Sequence, residues 1–153
     1  MTVPQVAARS PPRLTASIEF VVPFHDLDSA NIVWHGHYAK YLELARDALM
    51  RRLRYSHDEM RASGYLWPVV ELKVRYLQPA RLGLNLRATA TLIECEQRLK
   101  ISYEIFELAS GRRLTRAHTV QVPVKMPEGE LLFDAPQVFR DRLAQALAEN
   151  PLP

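Results

Sequence analysis

One long apolar stripe constrains this chain more than any other feature. Tyr38, Tyr41, Leu42, Ala45, Leu49 and Leu53 recur at three- and four-residue spacings, which predicts one helix over 37–54 with a single face to bury. Most of the remaining pattern has period two, the repeat of a strand. Leu84, Leu86, Ala88, Ala90 and Leu92 alternate with Asn85, Arg87, Thr89 and Thr91, and Leu99, Ile101, Tyr103 and Ile105 continue the alternation. A strand over 14–22 precedes the helix, with Ile18, Phe20 and Val22 on one face. Others follow over 67–77 and 115–125. In 67–77, Val70, Leu72, Val74 and Tyr76 share one face while Glu71, Lys73 and Arg75 share the other. Four strands in hairpin succession after one long helix argue for an α+β fold rather than alternating βαβ units. An antiparallel sheet with one apolar face must cover it. The stripe is the only long cover available, so the sheet is expected to wrap around that helix.

The punctuation agrees. Pro23 ends the first strand, and Ser56 with Glu59 three residues later forms a capping box that opens a short helix closed at Gly64. Residues 79–83 form a turn, Ser110-Gly111 a hairpin, and 127–129 a further turn. Pro123 implies an edge or a bulge near the end of the last strand. Residues 136–147 read as a C-terminal helix with Val138, Leu143, Ala146 and Leu147 on one face.

A length of 153 residues sets one domain as the prior, over 14–148, between an N-terminal tail (1–13) and a frayed end (149–153). The tail has prolines and arginines but no apolar signal region, and no apolar run approaches the ~20 residues of a membrane span. Cys95 is the only cysteine, so no intrachain disulfide can form, which fits a reducing cytoplasm. It is read as a strand residue rather than a catalytic thiol. A net charge of +3 tolerates anionic ligands, and no nucleic-acid signature accompanies it. The basic cluster Arg51, Arg52 and Arg54 falls at the end of the long helix, where cations complement the dipole.

The chemistry is concentrated in the loop 24–38, which feeds the start of the long helix. A helix start offers unpaired N–H groups and a positive dipole end, suited to an oxygen that gains negative charge. Asp28 lies a few residues upstream, as a carboxylate able to act as nucleophile or base. The same residue type in a loop also makes Asx turns. His25, Asp26, Asp28, His35 and His37 are all metal-ligand types, but their spacing matches no standard metal signature, so no metal or cofactor is expected.

Asp26-x-Asp28-x-x-x-Ile32-Val33-Trp34-His35-x-x-Tyr38, followed by Glu43-x-Ala45-Arg46, resembles the hotdog-fold acyl-CoA thioesterases of the 4-hydroxybenzoyl-CoA thioesterase/YbgC type. The stretch from Glu71 to Gly83 resembles the same family's second strand and the turn after it. The resemblance covers roughly 16–125. It implies a hotdog domain hydrolysing a short-chain or aromatic acyl-CoA, assembled as a homodimer or a dimer of dimers with each site at the interface. Asp28 then matches the catalytic aspartate, and the backbone N–H at or near His35 would polarise the thioester carbonyl. Asp26 is read as structural, bonding loop N–H groups. His35 is a candidate for orienting Asp28, holding water or capping the helix. Asn31 stands where the family usually has glycine; it tolerates positive φ and offers a hydrogen bond to the site.

Val33, Trp34 and Tyr38 join Asn31 as substrate-binding candidates. Trp34, Tyr38, Tyr65 and Trp67 suit either an acyl pocket or the core. For the CoA phosphates the candidates are Arg75, Arg81, Arg98, Lys100, Arg112 and Arg116. Glu43 is a rival acid, because another hotdog branch uses a carboxylate on the central helix; its alternative is an ion pair with Arg46. An acyl-carrier-protein thioesterase and a non-catalytic acyl-CoA-binding hotdog domain are the competing functions.

Overall fold

The computed structural model describes residues 14–149; the expected N-terminal tail and all but the first residue of the C-terminal one lie outside the described residues. The fold is α+β. Strand β1 (Thr15–Val21) leads through the loop into helix α1 (Tyr38–Arg52), then α2 (His57–Ala62) and the short β2 (Tyr65–Leu66). Strands β3 (Val69–Tyr76), β4 (Asn85–Glu94), β5 (Leu99–Glu107) and β6 (Arg113–Gln121) follow. Two short strands, β7 (Val124–Lys125) and β8 (Glu130–Leu131), and helix α3 (Gln137–Glu149) complete it.

Five strands form one antiparallel sheet in the order β1-β4-β5-β6-β3. Helix α1 lies across its inner face, against β1, β4 and β5. All six stripe residues are buried, with Ala45 and Leu49 fully enclosed. The facing side of the sheet supplies Leu86, Ala88 and Ala90 from β4 and Leu99, Ile101 and Ile105 from β5, each with no exposed surface. The small alanines of β4 let α1 approach closely, while the branched residues of β5 fill the space beside it. This is the hotdog architecture.

Helix α1 stops without a glycine. Arg54 takes φ 51, its N–H bonds the Arg51 carbonyl at 2.9 Å, and the Tyr55 N–H bonds Met50 at 2.9 Å, the two bonds of a Schellman cap. The basic cluster is used structurally. Arg51 pairs with Asp47, Arg54 with Glu149, and the Arg52 guanidinium donates to the Thr15 carbonyl. Ser56 caps α2 and contacts Glu59 at 3.2 Å, the expected pair, although through their side chains only.

Three expectations shift. The second strand begins at Val69 rather than at 67, because Trp67 turns into the core at 4% exposure and a bulge between Val69 and Glu71 breaks the alternation. The last strand stops at Gln121; beyond Pro123 the chain enters a separate three-stranded sheet, β2-β7-β8. Cys95 lies just past the end of β4, half-buried, where burial and the neighbouring Glu96 and Glu94 push its thiol up. In α3 the most buried residue is Phe139, packed against Tyr55 and Trp67 at ring separations of 5.9 and 5.0 Å.

Strand β3 is an open edge. Lys73 and Arg75 face outward, while Leu72, Val74 and Tyr76 share the inner face with Thr119, Ala117 and Thr115. Val69, Leu72 and Tyr76 remain 42%, 48% and 49% exposed, so an apolar strip runs along the inner side of this edge.

Candidate active site

The loop between β1 and α1 closes on itself as a small hairpin. Leu27 bridges Val33, the Asp28 N–H bonds the Ile32 carbonyl at 2.8 Å, and the Asn31 N–H bonds the Asp28 carbonyl at 3.1 Å. Asn31 occupies the tip at φ 60, the conformation that glycine would adopt freely and that asparagine tolerates best among other residues. The hairpin is anchored to the chain after β3: Ile32 bridges Arg81, and the Val33 N–H bonds the Ala80 carbonyl at 2.9 Å.

One of the two roles open to Asp28 is realised in the fold. Its Oδ1 accepts the Ala30 N–H at 2.8 Å, an Asx turn that fixes the side chain. Its Oδ2 has no hydrogen-bond partner among the described residues. Asp28 lines a recess of ≈ 350 Å³ together with Ile32, Val33, His35, Tyr38 and Tyr76, continued by Leu77, Gln78 and Pro79. The structure thus brings together four of the six candidate residues: Asp28, Val33, His35 and Tyr38. Asn31 is exposed at the hairpin tip. Trp34 is 45% exposed and rests against the rings of His35 and His37, at 5.0 and 5.2 Å.

The entry to α1 is a short 3-10 turn, His35–His37. The N–H groups of His35 and Gly36 open this turn and have no acceptor among the described residues. The indole of Trp34 lies directly over Gly36, where a Cβ would collide with the ring. Tyr76 donates a 2.8 Å hydrogen bond to the His35 carbonyl, so the end of β3 holds the turn from below. Tyr38 is buried, with its ring edge-on to Tyr76 at 5.0 Å; burial raises its phenol above the ordinary range.

Asp26 is structural, by contacts other than those expected. Its carboxylate is 2% exposed and bonds side chains of α1: Lys40 Nζ at 2.8 Å and the Tyr41 hydroxyl at 2.6 Å. Its backbone carbonyl, not its side chain, holds the Trp34 N–H at 2.9 Å. Burial alone would raise this carboxyl. Lys40 and Tyr41 outweigh burial and hold it below the usual carboxylate range. Burial and the adjacent Asp26 push the Tyr41 phenol far up. The rings of His25 and His37 each lie 3.9 Å from Asp26, apart from the Asp28 recess. Among the described residues no three His, Cys, Asp or Glu side chains are grouped to hold an ion.

Glu43 is exposed and ion-paired with Arg46, one turn further along α1. Both line a second cleft of ≈ 440 Å³, with Met50, Met60, Trp67 and Val124, which shares no residue with the Asp28 recess.

Ile32, Tyr76, Leu77, Gln78 and Pro79 were not foreseen as parts of the site. They reach it through the pairing of the loop with the chain after β3, a contact that no sequence period reports.

This arrangement defines a class: a hotdog domain with a carboxylate loop at the mouth of its central helix. The backbone is superimposable, at TM-score 0.77, on a 1,4-dihydroxy-2-naphthoyl-CoA thioesterase from Synechocystis that is 23% identical, covering 91% of this chain and 99% of that one. A DHNA-CoA thioesterase from Staphylococcus aureus matches at TM-score 0.76 and 21% identity, over 91% and 96% of the two chains. At these identities the likeness is one of fold. The family model described as the thioesterase-like superfamily matches residues 22–147, and the chain belongs to that family. The acyl-CoA thioester hydrolase YbgC of Escherichia coli is 31% identical over 61 residues, 40% of this chain and 46% of that protein.

Proposed function

We propose that this protein hydrolyses an acyl-CoA thioester, of short-chain or aromatic acyl group, to the free acid and CoA, with Asp28 as the catalytic carboxylate. The observation that carries the reading is the recess that Asp28 and His35 line together, beside the entry to α1. A thioester carbonyl seated there would point its oxygen at the N–H groups of His35 and Gly36, which stabilise the oxyanion as it forms. Asp28 then attacks the carbonyl carbon to give an anhydride that water opens, or takes a proton from the water that attacks. Both routes use the same free oxygen, and the sulfur leaves as the thiol of CoA. Ile32, Val33 and Tyr38 would form the apolar wall against the acyl carbons. His35 would position water or Asp28 from the rim. The family membership and the likeness to YbgC support the reaction class.

The working unit in this reading is a homodimer, or a dimer of such dimers. Support comes from β3, whose outer edge is unpaired among the described residues and whose inner face leaves Val69, Leu72 and Tyr76 half-exposed. A second copy pairing along this edge would cover that strip and border the Asp28 recess, which Tyr76 lines.

The test is a panel of acyl-CoAs with free thiol detected colorimetrically. Thiol release at a rate unchanged by EDTA supports the reading. Release abolished by chelation and restored by zinc or manganese would replace it with metal-assisted hydrolysis, and tight acyl-CoA binding without release would make the protein a binding domain.

A further inference from the structure

Trp34 is the residue that opens the turn at the mouth of α1, and both of its backbone groups are bonded. Its N–H bonds the Asp26 carbonyl at 2.9 Å, and its carbonyl accepts the His37 N–H at 2.9 Å. The side chain folds forward over the turn it opens, tilted against the His35 ring and edge-on to the His37 ring. Between these two residues it covers Gly36. A Cβ at position 36 would fall well inside contact distance of Cε3, Cζ3 and Cη2 of the indole. Gly36 does not take the positive φ of Gly64, Gly83, Gly111 and Gly129, so its backbone is open to alanine. The missing side chain therefore serves the ring and not the backbone. The obstacle is also half-exposed, so an added methyl would push the indole outward before it broke the turn.

Neither Trp34 nor Gly36 lines the Asp28 recess, although His35 between them does. Whatever the indole does for the recess it does through the backbone of the turn. That turn is three residues long and is closed by the single His37-to-Trp34 hydrogen bond. Tyr76 fixes the His35 carbonyl at one end of the His35–Gly36 peptide. The other end is a glycine, the residue with the widest backbone freedom, and so the joint at which the turn bends most readily. An indole seated on this joint narrows its motion by contact alone. The N–H groups on either side of the joint are those assigned to the oxyanion, and such donors act only while they are held in place.

We propose that Trp34 is a positioning residue, whose indole clamps the Gly36 backbone so that the His35 and Gly36 N–H groups stay aimed at the reacting carbonyl. The assignment rests on the thioesterase reading. Gly36 is the seat of the clamp: it lacks a side chain so that the ring can close on it. Trp34, a substrate-binding candidate by sequence, acts in this assignment on the turn and not on the acyl group. The clamp and the Tyr76 hydrogen bond then hold the same peptide at its two ends.

The experiment is a double-mutant cycle of Trp34→Ala and Gly36→Ala, with kcat and KM measured on a short and a longer acyl-CoA. Removing an oxyanion donor outright costs ~10²–10³-fold in kcat, so loosening one should cost about 3–10-fold, with KM within about twofold. Each single variant should show this loss, by the same factor on both acyl groups. The double variant should be no slower than Trp34→Ala, because the added methyl then has no ring to displace. Trp34 emission, taken by difference from the matching Trp34→Phe protein, should move to longer wavelength in Gly36→Ala as the indole leaves its seat. Melting temperatures check folding, and if Trp34→Ala melts early, Trp34→Leu replaces it in the cycle. Losses that multiply in the double variant, a parental kcat in either single variant, or Trp34 emission unmoved by Gly36→Ala would each overturn the clamp and leave the thioesterase reading intact. A rise in KM that differs between the two acyl groups would overturn it by making Trp34 a wall of the acyl site. A parent that hydrolyses no thioester would instead defeat the functional reading, and the clamp with it.

Discussion

The Tyr76 hydroxyl donates a 2.8 Å hydrogen bond to the backbone carbonyl of His35 and so ties the end of the edge strand to the mouth of the central helix. The His35 carbonyl and the Gly36 N–H belong to one planar trans peptide and point in opposite directions. Holding the oxygen therefore fixes the direction of the donor that the proposed function assigns to the oxyanion. Tyr76→Phe should lower kcat by roughly 3–10-fold, the worth of one hydrogen bond, with KM little changed. Steady-state kinetics on the best thioester reads this directly; a variant with parental kcat would separate β3 from the site.

Asp26 should govern acid stability. Its folded carboxyl is held below the ordinary value of 3.8, so its contribution is complete above that value and is lost as pH falls through the lower folded one. Asp26→Asn leaves Lys40 and Tyr41 with a neutral partner and should cost roughly 1–3 kcal/mol at pH 7. Urea unfolding at pH 7 and at pH 3 checks the sign: the gap between parent and variant should be narrower at pH 3 than at pH 7. A gap that widens in acid would contradict it.

Asn31 is set by its φ of 60. Asn31→Gly should fold as well as the parent and retain most turnover. Asn31→Ala should lose about 1–2 kcal/mol, the cost of a left-handed residue with an ordinary side chain. Melting curves for the pair distinguish this backbone demand from a role for the amide in binding, which would make the glycine variant inactive although stable.

Leu72, 48% exposed on the inner face of the open edge, reports on assembly. The parent should run as a dimer or tetramer by light scattering at micromolar concentration. Leu72→Glu should shift it toward monomer and reduce thiol release with it, because a charge would have to be buried at the interface. A parent that is monomeric and fully active would remove the second copy from the account.

The central helix and β4 were legible because both bury a single face over many residues. The stripe from Tyr38 to Leu53 and the alternation from Leu86 to Leu92 survive intact in the burial pattern. The strand order departs from hairpin succession: β3 precedes β4 in the chain yet pairs with β6 instead, a choice made by long-range contacts. The two-residue strands β2, β7 and β8 are too short to show a period. Phe139 was missed on α3 although it shares a stripe with Leu143 and Ala146, since Val138 offered a competing face. In the candidate site, local backbone geometry was readable and closure was not. The Asp28 turn and the strained Asn31 follow from residue type, whereas Tyr76 and 77–79 arrive through the Val33–Ala80 hydrogen bond.

The central claim is that Asp28 carries the reaction. Asp28→Asn preserves the size of the side chain and can keep the Ala30 contact through its amide oxygen, so the fold should persist. Neither attack on a carbonyl nor proton acceptance is then available, and kcat should fall by ~10²–10⁴, the range for a positioned acid–base group, or by more if Asp28 is the nucleophile. Glu43→Gln, which removes only an exposed ion pair with Arg46, should leave most activity. Measuring kcat for these two variants beside the parent is the most direct test. A silent Asp28→Asn with a dead Glu43→Gln would move the chemistry to the central helix and contradict the account.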